Sequence, residues 1–228
     1  DGFRSDTVKH VNPEFWDEWT TEVLDYAHAQ GNEDFFMFGE VYDGEPSFTS
    51  HYTTTNGIQA VLDFPFQGAA RDFASDSGSA ADLAALFASD DWYTDADSSA
   101  YDLPTFLGNH DMGRFGWMLQ EDNPTADDAE LLARDQLAHA LMFLSRGAPV
   151  VYYGDEQGFT GAGGDQDARQ TMFATDIAKY ADDDLIGTGA TAAEDSFDTA
   201  HALYGAIADL SALIADHPAL RDGAQVTR

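Results

Sequence analysis

Short apolar runs alternate with longer stretches whose apolar residues recur at helical spacing, and this alternation most constrains how the chain can fold. A run of four or five apolar residues suits a buried strand. The helical stretches between such runs are the crossovers that parallel strands require. Residues 1–11 read as a strand running into a loop. A helix then opens at Asn12 and Pro13, with Asn12 as its cap, Pro13 at the first helical position and Glu14, Asp17 and Glu18 near its positive end. Trp16, Trp19, Val23, Leu24 and Ala27 recur at helical spacing, and Gly31 can close the turn. Further strands are expected at 35–38, 60–64, 103–107 and 150–153. Ser79 and Asp82 form a capping-box pattern ahead of Leu83, Leu86 and Phe87. Helices are expected at 129–145, with Leu137, Leu141 and Leu144 on one face, and at about 199–216, with Leu203, Ile207, Leu210 and Ile214 in one stripe. Residues 158–196 are rich in Gly, Asp, Thr and Ala without periodicity and read as a long loop above the last strand. Gly163-Gly164-Asp165-Gln166-Asp167 has a faint likeness to a calcium-binding repeat, but it occurs once, and a plain loop is the better reading.

Three of the five strands end abruptly in ionisable groups: Arg4 with Asp6, Glu40, and His110 with Asp111. In a parallel αβ barrel the C-terminal strand ends form the site. A single carboxylate there is most often a helix cap or a structural ion pair. Three on one rim point to chemistry, because a carboxylate after an apolar strand is costly to bury without a partner or a task. Paired carboxylates suit glycoside hydrolysis, in which one stays ionised and the other keeps its proton until the leaving oxygen takes it. Arg4 lies two residues before Asp6, so on a strand both point to one face, and the arginine would keep that carboxylate ionised.

Charge narrows the partners. Ten Lys and Arg stand against 42 Asp and Glu, a net charge of −32, which repels nucleic acid and anionic membranes. Two readings of this surface remain: an ordinary acidic exterior, or adaptation to high salt, toward which the presence of only Lys9 and Lys179 leans. Cysteine is absent, which excludes disulfides and thiolate metal sites without fixing a compartment. No apolar run approaches the roughly 20 residues of a bilayer span.

The segment Asp1-Gly2-Phe3-Arg4-Ser5-Asp6-Thr7-Val8-Lys9-His10-Val11 resembles the second signature region of the α-amylase superfamily. Phe36-Met37-Phe38-Gly39-Glu40-Val41 resembles the third, and Phe106-Leu107-Gly108-Asn109-His110-Asp111 the fourth. Leu62-Asp63-Phe64-Pro65 and the stretch from Gly147 to Glu156 are similar to the family's sixth and eighth strands, so the likeness covers nearly the whole chain in the family's order. The resemblance implies a partial TIM (β/α)8 barrel, strands four to eight with their helices, over residues 1–228. It implies a retaining glycoside hydrolase acting on starch, maltooligosaccharides or related glucans. Asp6 would be the nucleophile, Glu40 the acid and base, and Asp111 the stabiliser of the transition state. Arg4 would orient Asp6, His110 would bind sugar hydroxyls, Lys9 and His10 would reach toward the leaving-group sugars, and Asn109 joins the substrate-binding set. In many relatives the main-chain carbonyl at the position of His10 binds a structural Ca2+; the resemblance implies no organic cofactor.

The first signature region, strands one to three, the small inserted domain and a C-terminal β-sandwich are missing from the sequence. The chain therefore reads as part of a longer enzyme, for which a secreted or periplasmic setting is compatible. Half a barrel leaves two open edges, so this stretch alone is expected to aggregate and to be inactive. A transglycosylase or sucrose-active member would use the same triad. A non-catalytic sugar-binding relative would have lost it. Trp92, Tyr93, Tyr152 and Tyr153 are candidates for stacking on sugars, with core packing favoured for the last two. Asp155 and Glu156 end the eighth strand and are candidates for lining the site, although the resemblance implies no catalytic task for them, and His28, His51, His139, His201 and His217 read as structural.

Overall fold

The computed structural model describes residues 2–75 and 78–226; Asp1, expected at the head of the first strand, lies outside the described residues. Five parallel strands appear among them. β1 (Gly2–Ser5), β2 (Phe36–Gly39) and β3 (Ala60–Val61) form one sheet in that order, and β4 (Pro104–Phe106) and β5 (Ala148–Val150) form a second. A hydrogen bond of 3.0 Å from Asp63 N–H to the Pro104 carbonyl bridges the two where β3 gives way to β4. The strands thus run side by side in chain order.

Helices make the crossovers. α1 (Pro13–Ala29) joins β1 to β2, and the short α2 (Pro46–Thr49) and α3 (His51–Thr54) lead to β3. α4 (Phe64–Ser75) and α5 (Ala80–Phe87) precede β4, α6 (Phe115–Asp122) and α7 (Asp128–Leu144) precede β5, and α8 (Ala202–Asp216) and α9 (Pro218–Asp222) follow. One apolar cluster gathers Phe66, Leu107, Phe115, Leu119 and Met142 under α4, α6 and α7. The other gathers Val8, Trp16, Val41, Ile58 and Leu103 between α1 and the first sheet. Among the described residues no helix is long and apolar enough to cross a membrane.

The local signals act largely as expected. The Ser79–Asp82 capping box forms, with Ser79 N–H donating to the Asp82 carboxylate at 2.8 Å and Asp82 N–H to the Ser79 hydroxyl at 3.3 Å. Gly31 takes φ 80° just beyond α1. Asn12 differs: its side chain makes no capping hydrogen bond. The Phe15 N–H, one of the donors such a cap would take, goes instead to the Asn12 carbonyl at 3.0 Å.

Two strand boundaries are corrected. The apolar run 60–64 is split after two residues, because the Asp63 carboxylate accepts the Phe66 N–H at 2.9 Å and starts α4 at Phe64. The last strand lies at Ala148–Val150 rather than 150–153. Gly147, at φ 103°, turns the chain in two residues earlier, and the Tyr152 and Tyr153 rings leave the sheet to pack on Arg114. α8 begins at Ala202, where His201 Nδ1 accepts the Leu203 N–H at 3.2 Å; of its expected stripe Leu203 is buried, while Ile207, Leu210 and Ile214 pack at the edge of the core. The long loop is irregular as expected, apart from a 3-10 turn at Asp165–Ala168 and isolated bridges at Phe159–Leu185 and Asp184–Thr191.

Candidate active site

Register places the first two carboxylates. Ser5 pairs with Gly39, and the Glu40 N–H donates to the Ser5 carbonyl at 2.8 Å, so Asp6 and Glu40 leave adjacent strands side by side. Arg4 spans them: Nη1 donates to Asp6 Oδ2 at 3.1 Å, and Nη2 lies 3.3 Å from Glu40 Oε2. The Arg4 hydrogen bond, reinforced by its charge, holds the Asp6 carboxyl below its ordinary value even though the side chain is well exposed. Thr7 adopts the left-handed region at φ 51°, a strained place for a β-branched residue, and turns its N–H toward Glu40 Oε2 at 3.3 Å.

The third carboxylate follows β4. Asn109 and Gly113 exchange two backbone hydrogen bonds of 3.1 Å, and Asn109 Oδ1 accepts the N–H groups of Asp111 and Met112, both at 2.9 Å. The Asn109 carbonyl oxygen is thus committed to shaping the turn that presents Asp111. The Asp111 carboxylate meets His110 Nε2 at 3.2 Å and Arg169 Nη2 at 3.1 Å.

Asp6, Glu40 and Asp111 line one cavity together with Lys9, His10 and Tyr42. The Lys9 ammonium donates to the Tyr42 carbonyl and lies 5.7 Å from the Tyr42 ring centroid. Glu40, Tyr42 and Asp111 also border a second hollow with Phe64, Asn109 and Met112, and Arg4 and His110 share a third with Tyr152. The residues expected from the sequence are divided among these three hollows: Asp6, Lys9, His10, Glu40 and Asp111 line the first, Asn109 borders the second and third, and Arg4 and His110 border the third. Among the other aromatic candidates, Tyr93 is buried and Trp92 exposed, neither at these hollows. Asp155 does not line the mouth: it is buried, and desolvation pushes its carboxyl up to about 7 against the pull of Arg114.

Arg169, Asp165 and Tyr42 were not foreseen. Arg169 reaches Asp111 from the unpatterned loop and also pairs with Asp165 at 2.7 Å. Its one sequence signal was rarity, a cation in a chain with ten. Among the described residues no group of three or more His, Asp or Glu could hold a metal ion. The donors present do not fit a calcium site by themselves, since Ca2+ takes six to eight oxygens and the resemblance implies a single one from this stretch, the His10 carbonyl.

A family model for the alpha amylase catalytic domain matches residues 1–201. The chain belongs to this family. An alpha-amylase of Streptomyces lividans is 58% identical over 228 residues, all of this chain and 25% of that protein. A beta/alpha-amylase of Paenibacillus polymyxa is 31% identical across 99% of this chain and 15% of its own length. Among solved structures, an alpha-amylase from Geobacillus thermoleovorans complexed with acarbose superposes with a TM-score of 0.73 at 27% identity, covering 97% of this chain and 42% of that one. The chain thus spans a quarter or less of these two curated relatives. Its alternating parallel strands and helices have the TIM-barrel-like α/β fold of alpha-amylase catalytic domains.

Proposed function

We propose that residues 1–228 form strands four to eight of an alpha-amylase-type barrel, and that the whole enzyme is a retaining hydrolase of α-glucosidic bonds, mostly α-1,4, in starch and maltooligosaccharides. The observation that carries this reading is the convergence of Asp6, Glu40 and Asp111 on one cavity, with Arg4 bridging the first two. The relatives support it, as does the acarbose bound to one of them.

The chemistry follows from what each group can do. Asp6, kept ionised by Arg4, attacks the anomeric carbon and forms a glycosyl ester. The bond to the departing sugar breaks as its oxygen takes the Glu40 proton. In the second step Glu40 removes a proton from water, the water oxygen bonds to the same carbon, and the Asp6 carboxylate leaves. Two inversions return the original α configuration. Asp111 and His110 hold hydroxyls of the distorted sugar and offset the charge that develops on its ring. Lys9 and His10 line the same cavity and would meet the sugars on the leaving-group side. A structural calcium would take the His10 carbonyl from this stretch and its other ligands from elsewhere in the enzyme.

Proton NMR of maltoheptaose cleavage by the complete domain tests the reading. The first reducing ends released should be the α anomer. Release of the β anomer would overturn it, while products longer than the substrate, or turnover of sucrose, would mark the transglycosylating alternative.

A further inference from the structure

Three residues beyond Asp111, the chain buries a whole guanidinium. Arg114 is 0% exposed, and a charge at that depth is costly unless it is paired. Its guanidinium carbon lies 4.5 Å from the ring centroid of Tyr152, 4.8 Å from that of Phe159 and 4.9 Å from that of Tyr153. Nη1 donates to the Tyr153 carbonyl at 2.5 Å and stands 3.5 Å from the buried Asp155 carboxylate. Nε donates to Gln170 Oε1 at 2.8 Å. Nη2 finds no acceptor among the described residues. Any movement of the groups Arg114 does bind would leave another donor unpaired in apolar surroundings, so the guanidinium fixes what it touches.

What it touches leads back to Asp111. Gln170 follows Arg169, whose Nη2 lies 3.1 Å from Asp111 Oδ1 and whose Nε donates to the His110 carbonyl at 3.3 Å. The Gln170 amide also donates to the Asp167 carbonyl at 2.9 Å, and the Tyr152 hydroxyl to the Ala168 carbonyl at 2.9 Å. The turn Asp165–Ala168 is held on that side by groups that all pack on Arg114. On its other side the Asp165 N–H donates to the Asp111 carbonyl at 2.8 Å. Approach there is close: a Cβ on Gly164 would lie 2.6 Å from the Asp111 carbonyl oxygen. Asp165 itself is held in the left-handed region at φ 50°.

We propose that Arg114 is a positioning residue for Asp111, clamping segment 165–170 against the turn 109–113 and so setting where the Asp111 carboxylate and the Arg169 guanidinium meet. It touches no substrate. The proposal rests on the reading of Asp111 as a glycosidase carboxylate. A misplacement of about 1 Å at a reacting centre costs roughly 100-fold in rate, which sets the scale of the expected effect.

The test uses the complete catalytic domain carrying Arg114→Lys or Gln170→Met. Lysine keeps the charge but lacks the fork that holds Gln170 and Tyr153 together. Active sites are counted with a fluorinated α-maltosyl inactivator, so that kcat refers to folded, competent enzyme. The clamp predicts a fall in kcat per site of about 10- to 100-fold with KM within about threefold. It also predicts that amide exchange at Asp165 quickens at least about tenfold while β1 and β2 keep their protection. A merely structural arginine would lower Tm and the count of sites and leave kcat per site unchanged, which overturns the proposal. Unchanged exchange at Asp165 overturns it whatever happens to turnover. If Arg114→Lys does not fold, Gln170→Met decides by the same measurements, since it leaves the guanidinium with Tyr153 and Asp155. A parent domain with no glycosidase turnover defeats the hydrolase reading instead, and the exchange measurement still judges the clamp.

Discussion

Asp6 and Glu40 come from different strands and share one arginine at this rim, and that arginine keeps Asp6 ionised. Arg4 depresses the Asp6 pKa, so Asp6 stays charged until the pH falls below the ordinary carboxylate value. Removing that partner raises the pKa again, and a nucleophile must be ionised. In the complete domain, Arg4→Met should shift the acid limb of the kcat/KM profile to higher pH and lower its plateau at least about tenfold. A pH–rate series checks this, and an acid limb that stays in place would show that Arg4 does not set the charge of Asp6. Glu40 and Asp111 were legible in the sequence because each follows an apolar strand, Asp6 because it lies in the signature segment 1–11 two residues after Arg4, and strand ends in a parallel sheet share one rim. Arg169 was not legible. It sits in a stretch with no periodicity, and only tertiary packing brings it to Asp111.

Elements are pinned by a second buried arginine, at the starts of β4 and β5. Arg146 pairs with Asp63, the residue that ends β3 and opens α4, and its Nη2 lies 2.8 Å from Asp90. Both Arg146 and Asp63 are fully buried. Arg146→Met would leave the Asp63 carboxylate without its counter-charge, so we expect the complete domain to lose about 3–5 kcal/mol by denaturant unfolding. A loss under about 1 kcal/mol would show the pair to be dispensable. This pairing also explains why the end of β3 escaped the sequence. The run 60–64 is uniformly apolar around Asp63, and nothing local shows that Asp63 serves a helix and a distant arginine instead of continuing a strand. Helices α4 and α6 were not legible either. Phe64 closes the apolar run 60–64, and no element is expected over Phe115–Asp122, whereas the capping box of α5 announced itself within four residues.

The whole molecule is open at both outer strands. Among the described residues β1 pairs with β2 alone and β5 with β4 alone, and Phe3 and Val150 on these outer strands are 49% and 45% exposed. Unpaired strand edges with apolar side chains favour association. Expressed by itself, residues 1–228 should elute as soluble aggregate or precipitate and release no sugar from maltoheptaose; a monomer on gel filtration with measurable hydrolysis would contradict this. The net charge of −32 acts at the same scale. Screening shortens the reach of carboxylate repulsion from about 10 Å at 0.1 M salt to about 3 Å at 1 M, so Tm of the complete domain should rise between those concentrations. The order of strands and the rim that carries the site could be read from the pattern of runs, because that pattern is local. Sheet closure could not, because it depends on pairing between distant residues.

The central claim is that Asp6 becomes covalently bonded to sugar while Glu40 and Asp111 do not. It is tested most directly by incubating the complete enzyme with a fluorinated α-maltosyl donor that slows the second step, digesting with trypsin, and sequencing the labelled peptide by mass spectrometry. Cleavage after Arg4 and Lys9 isolates residues 5–9. The account predicts one maltosyl adduct on that peptide, at Asp6. An adduct on Glu40 or Asp111, or full turnover with no adduct at all, would contradict it.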